Sequence, residues 1–447
     1  MLNYIWLVLV LLAVAIGGWN DRFKDVTDGA FDGAKTAVTI ALGLIGIMAL
    51  WLGVMRLAER AGLVQRIARG LRPIMRRLFP DVPSEHPAMG SMLMNMAANM
   101  LGLGNAATPL GLRAMRDLET LNPRPGVATN AMCTFLAVNT SSVQLIPATA
   151  IAILAASGST QPTAIVGTAL LATLCAASVA IISVKLLEKL PMFRTSPVPP
   201  HDLQKFETKG DAIINYAGDA VAQEPAKRLS ILGWVALVAL FVFFAVIFLR
   251  MVTPTLFGLS LPPDTGGQNG FIRSVNALSI LAIPFLLSFF PLYAAVRGVK
   301  VYEEFVEGAK EGFGVILKII PFLVTMLVAI GMFKGAGGID LLSRALSPIL
   351  TPLHFPTDLL PLALMRPLSG SGTLALLTDI VHRLGPDNIV SLTAATIYGS
   401  TETTFYVAAV YFGVVGVKQT RHAIPAGLLA DLAGVIASVI ICRAVLG

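Results

Sequence analysis

The sequence predicts an all-α polytopic membrane protein: two inverted-topology repeats, with about nine transmembrane helices and two re-entrant helical hairpins. The composition, the recurrence of apolar runs and the repetition of short motifs all point to this class. Of the 447 residues, 55% are hydrophobic and 13% are charged, and the mean hydropathy is +0.76. Soluble domains carry about 25% charged residues, so this chain is predicted to reside in a bilayer.

Apolar runs near the ~20 residues that cross a bilayer recur along the whole chain. The predicted spans lie near residues 3–19, 36–58, 126–157, 163–187, 231–250, 273–296, 312–333, 388–417 and 423–446. Two segments with glycine pairs, residues 87–111 and 358–382, are predicted to be re-entrant hairpins. The first run lacks a basic n-region and a cleavage site, so we interpret it as a retained helix rather than a signal peptide.

Short motifs recur in the same order in both halves. The matching segments are residues 32–35 and 307–310 (DGAK and EGAK), 61–74 and 336–349, 101–105 and 369–373 (LGLGN and SGSGT), 139–142 and 400–403 (NTSS and STET), and 170–174 and 428–432 (LLATL and LLADL). Five full spans separate the starts of the two copies, so the second copy is predicted to be upside down, as in many secondary transporters. The predicted units are a first repeat at 1–190, a polar cytoplasmic linker at 191–228 and a second repeat at 229–447.

The distribution of basic residues predicts the orientation. With the N-terminus inside and the C-terminus outside, the cytoplasmic segments hold 22 Lys and Arg residues and the outside segments hold nine, as the positive-inside rule requires. The main alternative splits the run at 126–157 into two spans, which would place the basic linker outside. We therefore expect a multi-pass protein of the bacterial cytoplasmic (inner) membrane.

Several function classes lack their sequence signatures. The net charge of +7 comes from basic residues beside predicted spans, which indicates membrane orientation rather than nucleic acid. The five histidines and three cysteines show no metal-ligand spacing, and no phosphate-binding loop is present. We predict no cofactor, no metal site and no enzymatic activity, with an intramembrane enzyme built on Glu402 as a third interpretation.

A basic run at residues 56–79 interleaves arginines with apolar residues. This pattern is typical of an amphipathic helix that lies at the headgroups. We predict that Arg56–Arg77 contacts anionic lipid headgroups, with a partner-binding or lipid-signalling role as the alternative.

Two polar stretches interrupt predicted membrane helices: AVNTSSVQLIP (137–147) and YGSTETTFYVAAV (398–410). Consecutive Ser and Thr residues can bond their own backbone and loosen a helix, and Pro147 removes a backbone donor. Each helix is predicted to break at membrane depth, where half-helix ends can bind ions or polar groups. The candidate contacts are Asn139, Thr140, Ser141, Ser142, Gln144, Thr401, Glu402, Thr403 and Thr404. Hydrogen bonding between packed helices is the alternative role for such residues.

An ionised carboxylate at the bilayer centre costs at least ~2.5 kcal/mol, so Glu402 is predicted to be protonated, paired or in contact with a cation. A coupling proton, a coupling Na⁺ or a hydrogen bond to substrate would each account for it. A structural ion pair with Arg366 is the alternative. Asp431 replaces Thr173 of the first repeat, and it is a second candidate for binding the coupling ion or proton, or else for helix packing.

These motifs resemble a known family. The first half resembles spore maturation protein A through NMAANMLGLGNAATPLGLRAM (95–115) and NTSS (139–142). The second half resembles spore maturation protein B through RPLSGSGTLAL (366–376) and GSTETTFYVAAVYFG (399–413). Both carry the gate, or nucleoside-recognition, domain, which also occurs in concentrative nucleoside transporters. The resemblance implies a fused two-gate protein in which two hairpin tips and two broken helices meet at the midplane.

By this resemblance, the hairpin hinges are Gly102, Gly104, Gly370 and Gly372. The candidate contacts at the hairpin tips are Asn99, Asn105, Thr108, Ser369, Ser371 and Thr373. The chain departs from the nucleoside transporters because it lacks paired acids: Ser141 stands in the first half where Glu402 stands in the second. The resemblance to nucleoside transporters therefore supports a shared scaffold more strongly than it supports a nucleoside as the substrate.

We predict a secondary transporter, ion-coupled or facilitative, of a small polar solute that is nucleoside-like or of another class. The expected partners are that solute, Na⁺ or H⁺, and anionic lipid headgroups, and a homo-oligomer is left open. The alternative is a non-transporting membrane scaffold in envelope or spore-coat and cortex assembly.

Overall fold

The computed structural model describes residues 2–102, 104–193, 230–257, 270–338 and 355–447, together with residues 341, 344 and 345. This described part is helical and contains no β-strand. Its helices are α1 Leu2–Trp19, α2 Phe23–Arg60, α3 Leu63–Leu78, α4 Pro87–Met100, α5 Gly104–Glu119, α6 Asn130–Ser141, α7 Ala148–Ala156, α8 Ile165–Leu187, α9 Ile231–Val252, α10 Gly270–Val296, α11 Val301–Gly335, α12 Leu360–Met365, α13 Gly370–Leu384, α14 Ile389–Ser400, α15 Thr404–Val414 and α16 Ala423–Val445. Most of the predicted linker lies outside the described residues.

The helices account for the predicted spans. By length and composition, α2, α8, α9, α10 and α16 are able to cross a membrane, and α1 and α11 contain shorter apolar stretches. Two further predicted spans are each broken in two, as α6–α7 and α14–α15. The predicted hairpins are α4–α5 and α12–α13. These elements confirm an all-α polytopic membrane protein.

The two longest helices, α2 and α11, pack antiparallel along most of their length. A Cβ atom on Gly33 would lie 2.3 Å from the carbonyl oxygen of Leu327, and a Cβ atom on Gly29 would lie 2.3 Å from that of Gly331. Only glycine permits two helix backbones to approach this closely. Small residues therefore join the two helices along the seam.

The helix that contains the predicted span at 36–58 is longer than the span itself. α2 begins at Phe23 because its first turns are amphipathic: Val26 is buried, whereas Asp25 and Asp28 are exposed. Its 38 residues extend about 57 Å at ~1.5 Å per residue, nearly twice the ~30 Å hydrocarbon core. A polar outer face lowered the hydropathy of this segment, and α11 extends its predicted span in the same way by starting at Val301.

Equivalent residues of the two repeats make reciprocal contacts. Gly33 approaches Leu327, while Gly308, the equivalent of Gly33, approaches Leu52, the equivalent of Leu327. α8 and its counterpart α16 also pack against each other. Antiparallel packing of matched helices is what two inverted copies produce.

Segments that the charge count assigns to the same side of the membrane meet in the structure. The Arg297 side chain donates to the carbonyl oxygen of Ala61 at 3.1 Å, and the Arg421 side chain donates to that of Ala128 at 3.0 Å. The grouping of these loops agrees with the predicted topology. Which of the two faces is cytoplasmic stays a prediction.

The predicted amphipathic helix is α3, which buries Ala68 and Met75 on one side. Upstream, in the last turns of α2, Arg56 and Arg60 form ion pairs with Glu304 of α11 at 2.9 and 3.1 Å. Because these two arginines pair with an acid of the other repeat, we limit the prediction of a headgroup contact to the arginines of α3.

Candidate functional site

Both stretches of consecutive polar residues break their helices. α6 ends at Ser141, Ser142 follows with a left-handed φ of 37°, and the chain stays irregular as far as Pro147. After α14, Thr401 is extended (φ −142°, ψ 169°), and α15 begins at Thr404. A non-glycine residue with a left-handed φ is strained by about 1–3 kcal/mol, so surrounding packing must hold Ser142. We call residues 142–147 the first break and residues 401–403 the second break.

The two breaks cross in direct contact. The backbone N–H of Glu402 donates to the carbonyl oxygen of Thr140 at 2.6 Å. A Cβ atom on Gly399 would lie 2.5 Å from the Cβ of Pro147, so glycine is required where the two segments touch. Each repeat thus places its interrupted helix against that of the other.

Each hairpin tip is tied to the break of its own repeat. The N–H of Leu145 donates to the carbonyl oxygen of Met100 at the tip of α4–α5, at 3.0 Å. The N–H of Phe405 donates to the carbonyl oxygen of Pro367 at the tip of α12–α13, also at 3.0 Å. The two hairpin tips and the two breaks therefore meet at one place.

A neutral hydrogen-bond network surrounds the first break. The Oδ1 atom of Asn139 accepts from Asn99 Nδ2 at 2.8 Å and from the Tyr411 hydroxyl at 3.3 Å. The Nδ2 atom of Asn95 donates to the carbonyl oxygen of Ala107 at 2.7 Å and to the Tyr411 hydroxyl at 3.2 Å. Two candidate residues, Asn99 and Asn139, are thus brought together. Sequence reasoning missed Asn95 and Tyr411, although both lie inside the quoted motifs.

Arg366 is buried beside the second break, with 2% of its surface exposed. Its guanidinium donates to the Tyr398 carbonyl oxygen at 2.9 Å and to Thr401 Oγ1 at 3.3 Å, and it lies 4.8 Å from the centre of the Tyr398 ring. A cation is favourable there because the C-terminal end of α14 carries partial negative charge.

The alternative of an Arg366–Glu402 ion pair is wrong. Arg366 caps α14 instead, and the half-buried Glu402 side chain has no ion pair or hydrogen bond within the described part of the chain. Arg366 and Glu402 lie in the same region of the structure, because Arg366 contacts Thr401, the residue before Glu402. Helix capping directs the guanidinium away from the carboxylate.

Equivalent residues of α8 and α16 support the two breaks by different chemistry. Thr173 Oγ1 lies 2.9 Å from the carbonyl oxygens of both Ser141 and Ser142, so its proton is shared between them. Asp431, which is 2% exposed, accepts a hydrogen bond of 2.6 Å from the hydroxyl of Thr404. A neutral donor bridges the first break, and a buried acid supports the second.

Several buried oxygens at the crossing have no hydrogen-bond partner among the described residues. They are the hydroxyls of Thr140, Ser142 and Thr403 and the Oδ1 atom of Asp431. The hydroxyl of Ser141, by contrast, donates within its own helix. Leaving a buried polar atom unpaired costs about 1–3 kcal/mol, and a bound polar solute would satisfy these atoms.

The candidate residues at the second hairpin tip bond within their own hairpin. Ser369 Oγ accepts from the N–H of Gly372 at 3.0 Å and so caps α13. Thr373 Oγ1 donates to the Ser369 carbonyl oxygen at 2.6 Å, and Ser371 Oγ lies 3.3 Å from Ser369 Oγ. In this arrangement the three side chains stabilise the start of α13.

The predicted hinge glycines differ in backbone conformation, and their role as hinges stays a prediction. Gly102 has a φ of +75°, which favours glycine, whereas Gly370 and Gly372 lie in the first turn of α13 with ordinary helical φ angles. Gly370 and Gly372 lie where there is little space for a side chain. A Cβ atom on Gly370 would lie 3.2 Å from Thr403 Oγ1, and one on Gly372 would lie 3.1 Å from the side chain of Met365.

The remaining candidates are less engaged. Gln144 is half-buried in the first break and makes no side-chain hydrogen bond to a described residue, and Thr108 is half-buried in α5. Gly104 begins α5, and the side chain of Asn105 lies outside the described residues. No group of three potential metal ligands occurs in the described part of the chain.

The crossing is mostly buried. Most of its polar side chains are buried, and Glu402 is half-buried. An apolar cavity of about 200 Å³ lies behind the tip of α4–α5, and a second cavity of about 420 Å³ lies between α3 and α4. No described polar candidate residue of the crossing lines either cavity.

Comparison with known proteins gives two kinds of match. A family model described as nucleoside recognition, named Gate, matches residues 41–158 and 316–418. Each matched range contains the hairpin and the broken helix of one half. Spore maturation protein A of Bacillus subtilis (strain 168) is 47% identical over 182 residues, which is 41% of this chain and 93% of that protein.

The chain belongs to the family of spore maturation proteins A and B. Spore maturation protein B of the same organism is 44% identical over 173 residues, which is 39% of this chain and 97% of that protein. Each of these two relatives, over matches of 182 and 173 residues, thus covers only part of this longer chain, which is consistent with a fusion of the two. In this spore maturation family member, the domain boundaries at 190 and 228 stay a prediction.

Proposed function

We propose that this protein is a secondary transporter of a small polar solute, and that the solute binds where the two breaks cross. One observation carries the proposal: Glu402, an acid without a partner among the described residues, lies at the crossing beside buried oxygens that lack hydrogen bonds. A purely structural crossing would be expected to satisfy its buried polar groups internally. The nucleoside-recognition description of the family supports a solute-binding role.

Transport requires that the crossing open to each side in turn. At one face, the N–H of Ala128 donates to the Gln419 carbonyl oxygen at 3.0 Å, and the N–H groups of Lys418 and Gln419 donate to the Gly126 carbonyl oxygen at 2.9 and 3.0 Å. These bonds join the loop before α6 to the loop before α16. We call this contact the inner latch.

The opposite face carries a matching contact, the outer latch. The carboxylate of Asp387 accepts from the Ser159 hydroxyl at 2.5 Å, from the Thr160 N–H at 3.0 Å and from the Thr160 hydroxyl at 2.8 Å. The hydrogen bond from Ser159, followed by those from Thr160, lowers the pKa of Asp387, so this latch stays ionised at neutral pH. It joins the loop before α8 to the loop before α14, which are the counterparts of the inner-latch loops.

The symmetry of the latches fits alternating access. Because the two latches involve equivalent loops exchanged between repeats, rocking one repeat against the other can release one latch while retaining the other. Glu402 and Asp431 are the proposed sites for a coupling proton or Na⁺. We further propose that the protein is not an enzyme, that it resides in the inner membrane with its N-terminus inside, and that the arginines of α3 contact anionic lipids.

The proposal is tested by uptake into proteoliposomes. Nucleosides, nucleobases, amino acids and dicarboxylates are supplied with an imposed Na⁺ or proton gradient, and Glu402→Gln is compared with Glu307→Gln. Glu307 is an exposed acid of α11 that pairs only with Lys310 among the described residues. We expect uptake of at least one class by the wild-type protein and by Glu307→Gln, and its loss in Glu402→Gln.

Equal uptake by both variants would place the site elsewhere. The scaffold alternative predicts no uptake of any solute, no biological effect of Glu402→Gln, and loss of biological function on charge reversal at Arg66, Arg69 and Arg76.

A further inference from the structure

The second break holds charges of both signs that do not pair with each other. The hydrogen bonds of the buried Arg366 guanidinium go to an uncharged carbonyl and an uncharged hydroxyl. Glu402 has no ion pair among the described residues. Arg366 contacts Thr401, the residue that precedes Glu402, so the two opposite charges lie at the same break.

Burying a charge is unfavourable unless an opposite charge or hydrogen bonds compensate for it. Arg366 bonds to Thr401, the residue before Glu402, and to the carbonyl oxygen of Tyr398. Among the described residues it forms no ion pair with Glu402. Each side chain therefore retains the capacity to bind a group of opposite sign.

We propose that the solute bound at the crossing is a small zwitterion that carries both a carboxylate and an ammonium group. The planar guanidinium of Arg366 binds the carboxylate, since its geometry matches two carboxylate oxygens. Glu402 binds the ammonium group, and the hydroxyls of Thr140, Ser142 and Thr403 bind other polar atoms. This inference rests on the proposed function and names the substrate class of the same site.

Other solute classes fit these charges less well. A neutral nucleoside would leave both Arg366 and Glu402 without an opposite charge. A solute with only a carboxylate would match Arg366 but would approach the acids Glu402 and Asp431. A zwitterion matches both charges, and the unpartnered Oδ1 atom of Asp431 is then left for the proposed coupling proton or Na⁺.

The test measures thermal stabilisation of the purified protein in detergent by a panel of amino acids and nucleosides. The amino acid that stabilises most is then compared with its decarboxylated amine and with its deaminated acid. We expect each single-charge analogue to bind about tenfold more weakly or worse, because it loses one charge-assisted contact.

Two variants assign the charges. Arg366→Gln is expected to bind the amino acid and its amine equally well, since the carboxylate no longer has a partner. Glu402→Gln is expected to bind the amino acid and its deaminated acid equally well. Arg116→Gln, at an exposed arginine of the first hairpin, should keep the wild-type ratios. A purely structural role of Arg366 would lower stability and leave these ratios unchanged.

The outcomes separate this inference from the proposed function. Stabilisation by a nucleoside and by no amino acid, or equal binding of the single-charge analogues by the wild-type protein, would overturn the zwitterion while a solute site remains. Stabilisation of the wild-type protein by no solute of the panel would count against both.

Discussion

The two breaks occupy equivalent positions in the two repeats, interrupt equivalent helices and touch each other, yet their chemistry differs. The first is neutral: Thr173 bonds to its carbonyl oxygens, and amide side chains surround it. The second is charged, with Arg366, Glu402 and Asp431 around it. Among the described residues, the charged candidates thus belong to the second half, although the two halves have their breaks at matching positions.

This comparison separates two requirements of a transporter. Alternating access needs two matched halves, which the packing of α2 on α11 and of α8 on α16 provides. Ion coupling or recognition of a charged solute needs an acid or a base at the crossing, and one copy is sufficient for that. We therefore expect substitutions of the charged residues at the second break to change function, and substitution of Thr173, which supports the first break but is not a proposed solute contact, to change stability.

The largest expected effect comes from separating the two breaks. Gly399→Val places a side chain where a Cβ atom would lie 2.5 Å from Pro147. We expect overpacking to lower the free energy of unfolding by about 1–3 kcal/mol or more. Solute binding should be lost as well. A Cβ atom on Gly413, in the neighbouring α15, would meet nothing within 4 Å. Gly413→Val should therefore fold with little change in its thermal midpoint, and an equal loss in both variants would argue against contact between the breaks.

The next effect is functional. Asp431→Thr gives the second repeat the residue found at position 173 of the first. A buried carboxylate is removed, which relieves a desolvation cost, so we expect an unchanged or higher thermal midpoint. Uptake in proteoliposomes should fall about tenfold or more, equivalent to ~1.4 kcal/mol or more, and lose its dependence on the ion gradient. Retained gradient-driven uptake would assign Asp431 to helix packing.

The matching change in the first repeat is expected to affect stability alone. Thr173→Val keeps the shape of the side chain and removes the hydroxyl that bonds to Ser141 and Ser142. Leaving these buried carbonyls unpaired should cost about 1–3 kcal/mol, seen as a lower thermal midpoint. Solute affinity should change little, and a selective loss of affinity without destabilisation would mean that Thr173 itself contacts the solute.

The smallest effect is predicted for Tyr411→Phe. The hydroxyl of Tyr411 donates to Asn139 and accepts from Asn95 at 3.3 and 3.2 Å. Asn139 retains its bond from Asn99, and Asn95 retains its bond to Ala107. We expect the free energy of unfolding to fall by about 0.5–1.5 kcal/mol, which is measured as a lower thermal midpoint. A much larger loss would mean that the amide network depends on this hydroxyl.

Local chemistry made much of the fold predictable from the sequence. Consecutive Ser and Thr residues, followed in the first half by Pro147, weaken a helix at that point, and both breaks occur at these stretches. Hydropathy located the spans but missed the first turns of α2, because an amphipathic extension has a low mean hydropathy. The motif repeats indicated the duplication, and the reciprocal contacts of Gly33 and Gly308 agree with it.

Contacts between residues distant in sequence were not predictable in the same way. Asn95 and Tyr411 are 316 positions apart, and no local pattern links them. An ion pair of Arg366 with Glu402 was the alternative considered from the sequence, because the two opposite charges lay in neighbouring segments. Arg366 caps the C-terminal end of α14 instead, because the hairpin tip places it there. The sequence pattern does not specify the position of that tip in the tertiary structure.

The most direct test is whether water reaches the crossing during the transport cycle. Thr403, which is 1% exposed and has an unpartnered hydroxyl, is replaced by cysteine in a Cys175→Ala background, since Cys133 and Cys442 are buried. Labelling with a small water-soluble thiol reagent is compared with that of Thr378→Cys, at a position in α13 that is also 1% exposed and has a hydroxyl without a partner among the described residues. We predict that Thr403→Cys is labelled and protected by a stabilising solute, while Thr378→Cys is not labelled. Equal resistance of both variants in every solute would show that the crossing is a permanent core and would contradict the account.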